Sequence, residues 1–259
     1  MTLSDCAGIV RVRDPDRFLC TLFAPAERRE SLFVLCAFDQ ELARAREVAS
    51  NPLIAAMRLQ WWREVVEGAD KRHEVATPLR AEMAAGRLRA GDLLAMIDAR
   101  EVEAEPDIPT RDAWWAYLRG TGGTLAHASG VVLGMEDARF ADIGAAVEAA
   151  RVLRAVPVHA RHGRCLLPAD ALAAQDLSPE AVIGAVAPDR LLRVVADLAA
   201  EALSVLGAPR RVPRRGRAAA LPAVLARRDL RRFAHGLPPR PRGTADRLAV
   251  MVAVWSGRM

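Results

Sequence analysis

The sequence predicts an all-α protein, and three observations carry the prediction. Apolar residues recur at helical spacing almost throughout, strict apolar-polar alternation is essentially absent, and proline, glycine or aspartate separates the periodic stretches. The 259 residues are 52% hydrophobic and 27% charged, enough apolar material for a packed core and too much for general disorder. No internal repeat and no Gly/Ser-rich linker divides the chain, so residues 1–259 read as a single domain.

The first strong element opens after Pro25 with AERRESLFVLCAFDQELARAREVAS, acidic at its start and apolar on all sides in its middle, as a central helix should be. PLIAAMRLQWWREVVEG follows, with Ile54, Met57, Trp61 and Val65 on one face and Gly68 as its stop. The adjacent Trp61 and Trp62 are read as core. Further helices are expected near 76–86, 90–101, 109–134, 138–162, 178–206, 217–234 and 244–256. GAPRRVPRRG, residues 207–216, is expected to be a mobile loop because two prolines and repelling arginines oppose a helix.

No apolar run is long enough to span a membrane. The stretch Met1-Thr2-Leu3-Ser4-Asp5 lacks a basic region followed by apolar residues, which argues against a secretory signal and for a cytoplasmic place. Cys6, Cys20, Cys36 and Cys165 form no CxxC pair and read as reduced packing residues.

Charge is uneven. Residues 208–243 carry eleven arginines against the single acid Asp229, while the whole chain carries only +5. A solvated helix face and loop is one reading, and an anionic membrane surface is the other. Nucleic acid is disfavoured, since Phe233 is the only aromatic residue in the tract.

His159, His162 and Cys165 stand at intervals of three, but Gly163 interrupts the helix and no fourth ligand is near, so no metal site is assigned there. Glycines 120, 122, 123, 130 and 134 lack the preceding strand that a phosphate-binding loop needs. They are read as close helix contacts or as room for a ligand.

Four stretches carry a resemblance: FLCTLFAPAERRESLFVLCAFDQELA from Phe18, MRLQWWREVVEG from Met57, YLRGTGGTLAHASGVVLG from Tyr117, and AARVLRAVPVHARHGRCLLPADAL from Ala149. Their order resembles the squalene/phytoene synthase family, all-α enzymes that join two prenyl diphosphates head to head. The ARxGRxxLPxD pattern over 160–170 is the most distinctive piece, and beyond residue 172 only helical character is shared. The resemblance implies an isoprenoid synthase-type bundle around a central cavity, with two aspartate-rich clusters that hold Mg²⁺ against the diphosphates.

Both clusters are depleted here. The first falls on Ala43, Arg44 and Glu47, and the second on Ala155 and His159. A guanidinium at Arg44 would repel a divalent ion by up to about 8 kcal/mol at about 4 Å and an effective dielectric of about 20. Pro157 removes the amide that would bond to the Leu153 carbonyl and is expected to kink the second helix. The resemblance keeps Tyr117 in the cavity, Gly122 and Gly123 as a small pair that leaves space for a prenyl chain, Phe38 as a wall, and Arg161 and Arg164 as anion-binding or ion-paired residues.

Within the family, the AF-x-x-E-L-A stretch over 37–43 and the helix from Met57 to Trp62 resemble the subgroup that contains the mitochondrial complex I assembly factor. That subgroup implies a degenerate relative, with no cofactor expected, that binds a protein partner or a lipid-like ligand and works at the periphery of the inner membrane. The alternative is an active Mg²⁺-dependent prenyltransferase using Asp39, Glu41 and Glu47. Whether the chain is an enzyme is left open at this point.

Overall fold

In the computed structural model, the described residues are 3–47, 52–105 and 107–259, with the side chains of Glu47 and Ala104 not described. Fifteen helices form among them, and no strand does; the only β-type pairings are isolated bridges, Ile108 with Pro168 and Arg211 with Arg258.

The chain begins with two short helices, α1 (Asp5–Arg13) and α2 (Pro15–Thr21). Ser4 caps the first by accepting from the Ala7 amide. Asp14 ends it and caps the second by accepting from the Arg17 amide, with Pro15 pre-set in the first turn. Next come α3 (Ala26–Glu47), α4 (Pro52–Val66), α5 (Ala76–Ala84) and α6 (Ala90–Glu101), the last running into a 3₁₀ turn at Val102–Ala104. The middle of α3, Leu32 to Phe38, is buried all round, as its pattern requires.

The expected helix over 109–134 forms as α7 (Arg111–Leu118) and α8 (Thr124–Val132), joined by a π turn at Arg119–Gly123. A π turn widens the helix by one residue and leaves a carbonyl without its usual partner. The Thr121 hydroxyl donates to the Tyr117 carbonyl at 2.8 Å. Here the glycines have a packing role: a Cβ on Gly122 would lie 2.5 Å from Glu148 Cβ, and one on Gly144 would lie 2.1 Å from the Gly122 carbonyl oxygen.

The partner in that contact is α9 (Arg139–Arg161), the longest helix among those described. It continues as a helix through Pro157, which sits in its exposed last turns. After α10 (Ala169–Ala173), the stretch expected as one helix over 178–206 splits into α11 (Pro179–Ile183) and α12 (Pro188–Leu206). Ala187 takes a left-handed conformation at the break, just before Pro188, which disfavours a right-handed helical residue ahead of it. Then α13 (Arg217–Ala220), α14 (Pro222–Ala234) and α15 (Thr244–Ser256) complete the order.

Two apolar clusters fill the interior, one centred on α3 and one on α9, and Ile143 packs against both. All four cysteines are buried, free thiols. Burial pushes the Cys6 and Cys36 thiols up to about 12, as packing residues.

The segment 207–216 differs from expectation. Arg210 and Met259 exchange backbone hydrogen bonds at 2.8 and 3.0 Å, and the Val212 amide donates to the Gly257 carbonyl at 2.8 Å. Pro209 and Pro213 stiffen an extended stretch whose remaining backbone groups find partners in 257–259, so the loop is tied down while its arginines stay in solvent.

Candidate functional site

The α3, α6, α7 and α9 helices converge on a cavity of about 430 Å³ that opens to solvent. Ala43 contributes from α3 and Arg100 from α6. Glu103 comes from the 3₁₀ turn, Tyr117 from α7, and Glu148, Arg151, Ala155 and His159 from α9; His162, Arg164 and Leu166 from the following turn complete it. Helical spacing explains the α9 contribution, because Glu148, Arg151, Ala155 and His159 follow one another at intervals of three and four on one face.

The base of the cavity is a charge network. Arg100 Nη2 donates to Asp39 Oδ1 at 2.9 Å and its Nη1 to Glu103 Oε1 at 2.7 Å. The Tyr117 hydroxyl donates to Glu103 Oε1 at 2.9 Å, and Arg164 Nη2 to Glu103 Oε2 at 2.5 Å. On the α9 side, Arg151 Nη1 donates to Glu148 Oε2 at 2.8 Å and stands 3.8 Å from Asp39 Oδ2. Arg17 from α2, paired with Asp14 at 3.1 Å, approaches Glu148 at 3.9 Å. Asp14, Asp39, Glu103 and Glu148 therefore face Arg17, Arg100, Arg151 and Arg164, four charges against four.

Most of this network is removed from water: Asp39 is 1% exposed, Tyr117 2%, Glu148 3% and Arg100 5%, while the Arg151 side chain stays 35% exposed. Burial alone would raise the Asp39 and Glu103 carboxyls, but the facing guanidiniums hold both below the usual carboxylate range. Burial, reinforced by Glu103, pushes the Tyr117 phenol well up, so it remains a donor. His159 is driven down to about 4 by burial and by Arg164, and its buried Nδ1 has no hydrogen-bond partner. The cavity thus offers a ligand a neutral imidazole, apolar wall from Val152, Val158 and Leu166, and charged groups that are already paired with one another.

The structure disposes the sequence-predicted residues in three ways. Ala43, Tyr117, Ala155, His159 and Arg164 meet in the cavity wall, so the two depleted motifs do face one another. Arg44 is exposed on the far turn of α3, 3.8 Å from Glu41, which Arg13 also holds at 2.7 Å. Glu47 closes α3, and its side chain lies outside the described residues. Three expectations are corrected. Phe38 is fully buried beneath the cavity, packed edge-on to Trp62 at 5.4 Å, because its side of α3 faces α4. Gly122 and Gly123 leave no room for a chain, since α9 occupies the space a Cβ would need. Arg161 points to solvent at the end of α9 and does not line the cavity.

Sequence reasoning missed Arg100, Glu103, Glu148 and Arg151. For Glu148 and Arg151 a signal existed, since they precede Ala155 by seven and four residues on the same helical face. For Arg100 and Glu103 there was none: DAREVEAE reads as a solvated helix end, and Asp39 and Arg164, which complete the network, each lie 61 residues from their partner in sequence.

These carboxylates do not fit the magnesium sites that the resemblance implies. A hard dication takes about six oxygens, and each acidic side chain here already receives one or more guanidinium donors at its lone pairs. Among the described residues, no group of three or more His, Cys, Asp or Glu is placed to hold an ion.

NADH dehydrogenase (ubiquinone) complex I, assembly factor 6, of Mus musculus is 30% identical over 229 residues, 85% of this chain and 69% of that protein. The Bos taurus protein of that name is 32% identical over 208 residues, 76% of this chain and 62% of the relative. The chain thus spans 62% to 69% of the length of these relatives. Among solved structures, a dehydrosqualene synthase superposes with a TM-score of 0.76 at 16% identity, covering 97% of this chain and 94% of that one. A squalene synthase of Alicyclobacillus acidocaldarius gives 0.72 at 18% identity, covering 91% and 94%. At such identities the likeness shows the isoprenoid synthase-type fold alone. The family profile described as squalene/phytoene synthase matches residues 10–238, and with it the chain belongs to the squalene/phytoene synthase family.

Proposed function

We propose that this chain is a catalytically degenerate member of its family that acts in respiratory complex I assembly, binding a protein partner and holding a lipid-like ligand in its cavity. The observation that carries the reading is the guanidinium network: Arg100, Arg151 and Arg164 sit against the carboxylates where an ionising enzyme would need free oxygen ligands. Neutralised by its own cations, the cavity has no means of assembling metal ions around a diphosphate leaving group. Its volume of about 430 Å³ and its mixed lining suit a molecule with an apolar body and a hydrogen-bonding end. The relatives named as complex I assembly factor 6 support the assembly role. Among the described residues, no helix is long and apolar enough to cross a membrane. Contact with the inner membrane is part of the proposal, in the form of a peripheral association.

The test has two arms. Purified protein incubated with farnesyl or geranylgeranyl diphosphate and Mg²⁺ should release no diphosphate above background; a C30 or C40 product would establish the prenyltransferase instead. Deletion of the chain in its native cell should lower assembled complex I, and the wild-type chain should restore it. Normal complex I in the deletion strain would remove the assembly role.

A further inference from the structure

The membrane contact proposed above was expected from the arginines of 208–243, but the structure engages several of them internally. Arg242 bridges Asp16 and Asp229 at 2.7 Å each, Arg228 and Arg240 hold Asp246, Arg227 donates to the Gly207 carbonyl at 2.6 Å, and Arg217 donates to the Val254 carbonyl at 2.5 Å. What remains in solvent is a different surface. On α15, Leu248, Met251, Val252 and Trp255 stand at i, i+3, i+4 and i+7, one continuous stripe. They are 64%, 53%, 63% and 88% exposed, while Asp246, Val250 and Ala253 on the opposite face are buried.

We infer that this outer stripe of α15, flanked by the arginines of 210–215, docks onto a bilayer surface that carries anionic lipids. The inference rests on the peripheral-membrane part of the proposed function and names the face that makes the contact. Charge complementarity selects the occupant. From residue 207 onward the only acids are Asp229 and Asp246, both buried and both held by arginines, so every exposed side-chain charge there is an arginine: 210, 211, 214, 215, 231, 247 and 258. The backbone pairing of 210–212 with 257–259 joins Arg210, Arg211 and Arg258 to the Trp255 end of the helix, so charge and stripe form one rigid unit. A convex apolar stripe with a terminal tryptophan and basic flanks matches a planar interface, where apolar side chains sink below the headgroups and guanidiniums meet phosphates.

The test is flotation of the full chain with vesicles of phosphatidylcholine alone and of phosphatidylcholine mixed with cardiolipin or phosphatidylglycerol. Binding is expected only to the anionic vesicles and should weaken steeply with salt. The Val252→Ser/Trp255→Ser variant should lose about tenfold or more in partitioning, from two large apolar side chains withdrawn from the interface. Arg211→Gln/Arg258→Gln should lose roughly tenfold on anionic vesicles. Val12→Ser, at an exposed site on α1, is the control and should bind as wild type. Circular dichroism verifies that each variant folds.

Absence of wild-type binding would overturn both the peripheral reading and this surface. Salt-sensitive binding that survives the α15 substitutions would leave the peripheral reading standing and overturn the surface. Self-association abolished by Val252→Ser/Trp255→Ser, without vesicle binding, would show that a second copy covers the stripe.

Discussion

Arg100 reaches across the cavity floor to Asp39, 2.9 Å between Nη2 and Oδ1, and both side chains are closed to solvent. One residue precedes the depleted motif on α3 by four positions and the other ends α6, so the pair ties the two helices together at the site. Removing either partner would leave an uncompensated buried charge. Asp39→Asn or Arg100→Met should each cost about 3 to 5 kcal/mol, and the double variant should cost clearly less than the sum. Urea denaturation of the four proteins provides the cycle; additive losses would show that the two charges do not compensate one another.

The pH dependence of stability should carry the signature of His159. Its folded value of about 4 lies below the ordinary histidine value, so the unfolded chain binds the extra proton first as pH falls. The contribution is complete above about 6.5 and is lost between about 6.5 and 4, up to about 3 kcal/mol. Asp39 and Glu103, held low by their arginines, add a loss only at lower pH. Denaturation curves from pH 7 to pH 4 should show this leg in wild type and a much flatter one in His159→Gln. An equal slope in both would remove the assignment.

Magnesium should not stabilise the protein. A site well saturated at millimolar Mg²⁺ would add about 2 to 3 kcal/mol and raise the midpoint of a domain this size by several degrees. Thermal unfolding with and without the ion should give the same Tm to within about a degree. A rise of several degrees that Glu103→Gln or Glu148→Gln abolishes would mean that carboxylates of the cavity do bind it.

The same substitution should have opposite effects at two glycines. Gly144→Ala would force a methyl into the Gly122 carbonyl and the Ala126 side chain, costing about 2 to 3 kcal/mol or more. Gly8→Ala, inside α1 with nothing within 4 Å of the added methyl, should be neutral or stabilising by up to about 1 kcal/mol. Thermal denaturation of the two variants compares them directly.

The long elements were legible because burial imposes a period. The α3 helix, apolar all round, and α9, with one face against the π turn, follow from their sequences almost to the residue. The short α1 and α2 were not seen because their junction is a single residue, Asp14, that ends one helix and caps the next. The π turn leaves no mark in composition, since five residues of RGTGG suit an α-helix break, a loop or a close contact equally well. At the site, residue types absent from a family pattern could be read in place, as at Ala43 and Ala155. Arg164 could be read too, but Arg100 could not, because it is recognisable as an interior group only when the fold brings it to Asp39 and Glu103.

The guanidinium network also constrains how this lineage can change. Aspartates installed at positions 43, 155 and 159 would enter a neighbourhood whose interior acids are already matched by Arg17, Arg100, Arg151 and Arg164. With those arginines already committed, the newcomers would find no free cation and would face the interior carboxylates, which pushes their own carboxyls up and makes them poor metal ligands. Clearing those arginines first would expose Asp39, Glu103 and Glu148 as mutually repelling charges in a dry interior, at a cost comparable to the whole stability of a domain. Installing metal-binding acids in this cavity therefore costs stability at each single step, whichever charge is changed first.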